Sequence, residues 1–168
     1  MIKIPEKEGR LSAAKAAHIE AVIAFVKRKT EGYRRDLFAN ISRVMLVSGT
    51  FEDMSARDDW SWLSDFILAD VKTLKQMIGR PELLQFDAFK RMYSDYFSAG
   101  SDKYVDAPTK YNAYMFIENL GVTICPYCDE EYLDVVENGN GGKLRTLEID
   151  HFFPKGKYPA LAMCFYNL

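Results

Sequence analysis

Asp150 and His151, adjacent in "TLEIDHFFPKGKYP", bring a carboxylate and an imidazole to one point of the chain. Hydrolysis of a phosphodiester asks for a base that activates water. It also asks for a cation that neutralises charge on the phosphate and the leaving oxygen. His151 suits the base, because imidazole titrates near neutral pH. Asp150 suits the cation, because a carboxylate oxygen is a hard ligand for Mg²⁺ or Mn²⁺. Successive strand residues point to opposite faces, so the two reach one site only where a strand ends or bends. Pro154 permits such a bend, since it cannot continue a hydrogen-bonded ladder. Asn167, sixteen residues after His151, can hydrogen-bond the imidazole or its loop and fix the orientation of the base. Lys155 and Lys157 in the intervening loop are weaker candidates for phosphate contacts, since exposed loop lysines are commonly no more than solvated. A surface Asp-His pair at a strand end is the plain alternative, and it is the neighbouring residues that argue against it.

Upstream, Cys125 and Cys128 in "CPYC" supply two thiolates at the spacing of a zinc knuckle, and tetrahedral Zn²⁺ needs two further ligands. The same tetrapeptide is the redox motif of glutaredoxins, in which the first thiol is activated at a helix N-terminus. That fold requires a strand before the motif and a helix directly after it. Here a helix precedes and a hairpin follows, which favours zinc. The third cysteine, Cys164, lies between Met163 and Phe165 and reads as buried. His18, in "AAKAAHIEA", has no partner motif and reads as structural.

The elements that must carry these residues are mostly helical. Ser12 is a candidate cap for a helix with Ile19, Val22, Ile23 and Val26 at the 3.6 period, ending near Gly32. Leu37, Ile41, Val44 and Met45 mark a second helix. Trp60, Leu63, Ile67, Val71, Leu74 and Ile78 mark a third, stopped by Gly79 and Pro81. Pro81 suits the first turn of the next helix, with Phe86, Phe89, Tyr93 and Tyr96 on one face. Asp106 and Pro108 open a last helix that runs to Leu120 and Gly121. Aromatic stripes at helical spacing read as core. After Gly121 the texture changes: "YLDVV" and "LRTLEI" are β-prone runs separated by "ENGNGGK", whose Asn-Gly pairs favour tight turns. This predicts a hairpin that delivers Asp150 and His151 at the end of its second strand.

With 168 residues, 48% hydrophobic and 27% charged, the chain has the composition of a soluble globular protein. No apolar run approaches the roughly 20 residues that span a bilayer, and residues 1–15 lack the apolar core of a secretory signal. A cytoplasmic location is expected, with no membrane partner. The net charge of −2 argues mildly against nucleic-acid binding by this chain alone. Basic residues between Lys27 and Arg43, and acidic ones between Asp129 and Glu137, read as solvated surface.

Taken together, "CPYC" and "EIDHFFPKGKYPALAMCFYNL" resemble the HNH, or ββα-metal, nuclease pattern, in which a strand ending in Asp-His leads through a Pro-containing loop to an Asn. The resemblance implies Asp150 as ligand of a catalytic Mg²⁺ or Mn²⁺, His151 as general base, Asn167 as its support, and Cys125 with Cys128 as half of a structural Zn²⁺ site. Within the HNH proteins it looks like the nuclease subunits of bacterial anti-phage systems of the Septu type, including those attached to retrons. It is specific over roughly residues 121–168 and general in the helical part. It implies cleavage of DNA or RNA, transfer RNA included, and assembly with an ABC/SMC-like ATPase. In the retron-attached systems it also implies a reverse transcriptase–noncoding RNA complex. The expected architecture is mainly α: a partner-docking helical domain over 1–120, then the first part of an HNH domain over 121–168. The family's second cysteine pair and final metal ligand would follow the Asn, and are expected beyond Leu168. Two rival readings are a non-catalytic adaptor with a degenerate nuclease remnant and a thiol-redox protein using "CPYC".

Overall fold

The computed structural model describes residues 8–47, 60–98, 111–123, 135–137, 143–145 and 149–168. The described residues are mainly helical. Helix α1 spans Glu8–Lys27 and α2 spans Glu31–Val47. Two short helices follow, α3 over Ser61–Ile67 and α4 over Val71–Met77. After a 3₁₀ turn at Pro81–Leu84, α5 covers Ala88–Met92 and widens into a π-helical turn at Tyr93–Phe97. The last helix, α6, spans Ala113–Leu120. Strands β1 (Val135–Glu137) and β2 (Lys143–Arg145) pair antiparallel with Val136 opposite Leu144. The Asn-Gly turn between them lies outside the described residues. No helix among the described residues is long and apolar enough to cross a membrane.

Several boundaries differ from the sequence expectation. Ser12 is an exposed interior residue of α1, which starts earlier, at Glu8. The same helix ends at Lys27 because Thr30 starts the next one, its Oγ1 accepting the Tyr33 N–H at 3.3 Å. The stripe from Trp60 to Ile78 belongs to two helices. Asp70 interrupts it: its side chain accepts the Thr73 N–H at 2.7 Å and caps α4 in extended backbone. An Asp that satisfies a free helix-start N–H competes with helix continuation. Apolar spacing survives the break because both helices face one core. The proposed helix start at Asp106 and Pro108 lies outside the described residues. Within them α6 is capped by Asn112, whose Oδ1 accepts from the Tyr114 and Met115 N–H groups.

α6 ends on Gly121 at φ +65°, a left-handed conformation that costs an L-residue free energy. A Cβ there would also run into the Arg10 side chain of α1. Gly121→Ala is therefore expected to lower stability by about 1 kcal/mol in urea denaturation, more if Arg10 cannot swing aside. An unchanged midpoint would count against this account of the α6 terminus.

Residues on both sides of position 120 share one hydrophobic core. Val22, Phe25, Ile41, Leu63, Phe66, Leu74, Phe89 and Phe97 pack with Phe153, Tyr158 and the unbroken buried run Ala160–Phe165. The 3₁₀ turn Pro159–Leu161 rests on α5, and α1 rests on α6 and α3. On α1 the buried stripe runs Ala14, His18, Ala21, Val22, Phe25 and Val26. His18, read as structural, is fully buried on it. Its Nε2 donates to the Met163 carbonyl at 2.8 Å, and its Nδ1 pairs with the Tyr111 hydroxyl at 3.2 Å.

Burial pushes the His18 imidazole down to about 4 from its ordinary value of 6.5. The unfolded chain therefore takes up this proton more readily than the folded one, so stability is intact above the unfolded pKa and falls as pH drops towards 4. The expected loss across that window is on the order of 3 kcal/mol. Denaturation curves from neutral to acid pH check it: His18→Gln should flatten the dependence, and an identical slope in that variant would contradict it.

Candidate functional site

The segment that carries the candidate site starts at Ile149, whose carbonyl accepts the Tyr93 hydroxyl at 2.9 Å. Asp150 is exposed, and its Oδ1 accepts the His151 N–H at 2.8 Å. The backbone then bends through Phe152 and Phe153, so that Asp150 lies at the surface while the His151 ring turns inward and is 8% exposed. Pro154 opens the following turn: its carbonyl accepts from both the Lys157 and Tyr158 N–H groups at 2.9 Å. The bend expected at Pro154 is therefore present.

His151 Nε2 lies 3.1 Å from the Ala162 carbonyl oxygen. A carbonyl only accepts, so Nε2 carries the proton and the lone pair of the neutral ring is on Nδ1. Nδ1 makes no hydrogen bond to the described residues. The ring also packs edge-on against Tyr93, with centroids 4.5 Å apart. Burial is the largest influence on its pKa and lowers it, as does the nearby Lys155 ammonium; the Ala162 hydrogen bond and the Asp150 carboxylate act in the opposite direction. The net shift is downward, and the imidazole is neutral at pH 7.

Asn167 holds the loop, not the imidazole. Fully buried, it accepts the Phe153 N–H on Oδ1 at 2.6 Å and donates from Nδ2 to the Phe153 and Leu161 carbonyls at 3.2 and 2.9 Å. Its own carbonyl accepts the Phe152 N–H at 2.9 Å. Asn167 thus clips the two residues after His151, Phe153 through its side chain and Phe152 through its main-chain carbonyl, to the segment that supplies the Ala162 carbonyl. Of the two sequence-expected roles the loop role is the one observed, which makes Asn167 a positioning residue.

The two candidate lysines differ. Lys155 places its ammonium 4.1 Å from the centre of the Tyr93 ring, the same ring that packs on His151. Lys157 is exposed, sits over Tyr158 at 5.3 Å, and accepts from Gln85 through its carbonyl at 3.2 Å. Lys155 is the one brought beside the imidazole. Tyr93 was legible only as a core aromatic at helical spacing. Its hydroxyl was the available signal, since a buried Tyr O–H needs a partner, and that partner is the residue before Asp150.

Cys125 and Cys128 lie outside the described residues. Cys164 is fully buried, its Sγ 3.6 Å from the Phe66 carbonyl, and burial pushes its thiol far up, which suits a core residue and not a metal ligand. Among the described residues no group of three or more His, Cys, Asp and Glu side chains is placed to hold a metal ion. Asp150 by itself offers one exposed carboxylate. One protein ligand alone holds a divalent cation weakly.

The arrangement can accept a proton at Nδ1 of a fixed, neutral imidazole beside a surface carboxylate. Comparison of the chain with protein-family models, curated proteins and solved structures finds no match.

Proposed function

We propose that residues 149–168 carry the catalytic centre of a metal-dependent endonuclease of HNH type that hydrolyses phosphodiester bonds in nucleic acid. The observation that carries this reading is the 3.1 Å contact of His151 Nε2 with the Ala162 carbonyl: a carbonyl only accepts, so the proton is assigned to Nε2 and Nδ1 is left to accept one. Water gives its proton to Nδ1 as its oxygen attacks phosphorus, and the bond from phosphorus to the leaving oxygen breaks. Burial keeps His151 unprotonated at neutral pH and so ready to accept. Asp150 would hold Mg²⁺ or Mn²⁺, which supplies charge neutralisation at the phosphate and the departing oxygen. Lys155 lies close enough to the imidazole to influence it electrostatically and would receive the phosphate backbone.

The spacing of Cys125 and Cys128 supports a structural zinc shared with ligands outside the described residues. The acidic balance of the chain fits a subunit whose nucleic-acid surface comes partly from a partner. The resemblance to anti-phage nuclease subunits supports an ATPase as that partner.

The test is cleavage of DNA and RNA, single- and double-stranded, as Mg²⁺ is varied. Chelation should abolish cutting, and Asp150→Asn should raise the Mg²⁺ concentration for half-maximal rate by about 10-fold or more. Cutting that survives chelation and is unchanged in Asp150→Asn would remove the metal role.

A further inference from the structure

The chain contains two histidines, and both donate from Nε2 to carbonyls of consecutive residues, His151 to Ala162 at 3.1 Å and His18 to Met163 at 2.8 Å. His18 comes from α1, 145 residues away from Met163. Its Nδ1 accepts the Tyr111 hydroxyl at 3.2 Å, and its ring is met edge-on by Phe97, Tyr111, Phe116 and Phe165 at centroid distances of 5.5 to 6.0 Å. An apolar side chain would fill this position between Ala14 and Val22 without burying two ring nitrogens, which is costly unless both are hydrogen-bonded. What the imidazole adds over an apolar residue is a donor for the Met163 carbonyl and an acceptor for the Tyr111 hydroxyl.

The backbone around that carbonyl is held from both sides. The Leu161 carbonyl accepts from Asn167 Nδ2 at 2.9 Å and from the Cys164 N–H at 3.1 Å. The Met163 carbonyl accepts from His18. Ala162, between them, supplies the acceptor that sets the His151 tautomer. We propose that His18 is a positioning residue for His151: by holding the Met163 carbonyl it fixes the direction of the Ala162 carbonyl, and so keeps the proton of His151 on Nε2 and its lone pair on Nδ1. The proposal rests on reading His151 as the base. It couples α1 to the site through one peptide segment, although His18 touches neither His151 nor substrate.

The experiment uses the full chain with ¹⁵N-labelled histidine at alkaline pH, where both rings are neutral and each nitrogen reports its own proton. In the wild type His151 should be a single Nε2–H tautomer. In His18→Phe, which keeps a ring but has no donor, the Nδ1–H form of His151 should appear as a substantial fraction. The kcat for cleavage should fall about 10- to 100-fold at unchanged KM, the usual size of an orienting-shell effect. His18→Gln, whose amide can still donate to Met163, should restore both. If the phenylalanine variant does not fold, His18→Met fills the space flexibly without a donor and carries the same expectation. A folded donor-less variant with the wild-type His151 tautomer would overturn the proposal, whatever its cleavage rate. A shifted tautomer in a protein whose wild type cuts nothing would uphold the positioning while removing the nuclease reading.

Discussion

Asn167→Ala should lower stability by about 3–5 kcal/mol, a large share of a domain's total. The side chain is fully buried and satisfies the Phe153 N–H and the Phe153 carbonyl, besides sharing the Leu161 carbonyl with Cys164. Alanine leaves the first two without those partners in a region closed to water, and each buried unpaired group costs roughly 1–3 kcal/mol. The remainder is the space left by the amide. Asn167→Asp should be no milder: it keeps an acceptor for Phe153 but sets a carboxylate against two carbonyls. Urea denaturation measures the effect, and a loss below about 1 kcal/mol would show that the loop is held mainly by other contacts. Because the clip joins the residues after His151 to the strand of chain carrying Ala162, cleavage should fall as well, even where the variant is fully folded.

His151→Ala should reduce cleavage by about 10²- to 10⁴-fold, the range in which a positioned proton acceptor contributes. A change confined to this ring removes the acceptor while leaving Asp150 at the surface. In the wild type the rate should also report the ring's protonation. Burial depresses the imidazole below its ordinary value, so the rate should be level at neutral pH and fall in acid as the ring takes up a proton. A rate that fell instead on the alkaline side of neutrality would point to an acid role for this histidine.

The local chemistry of the site was legible where it depended on adjacent residues. The bend expected at Pro154 is present, whereas β2 ends at Arg145 and Asp150 and His151 lie in irregular backbone, not at the end of that strand as expected. The pairing of β1 with β2 falls within or beside the β-prone runs that flank "ENGNGGK". What could not be read were partners far apart in sequence. The 3.6 period puts His18 on the buried face of α1, and nothing local says that its acceptor is Met163. The same holds for Tyr93, whose partner is the Ile149 carbonyl. Asn167 had two possible partners within reach, and choosing the loop over the ring required knowing how the segment folds back on itself. The continuous helix expected over Trp60–Ile78 failed for another reason. Periodicity measures which face is buried and is blind to a cap such as Asp70, which breaks the helix without disturbing the stripe.

The account stands on His151 as the proton acceptor, and chemical rescue tests that most directly. In His151→Gly, cleavage of nucleic acid with Mg²⁺ present should be nearly lost and should return in proportion to added imidazole, with the recovered rate following the neutral form of the added base. Cleavage by His151→Gly at the wild-type rate without imidazole would contradict it.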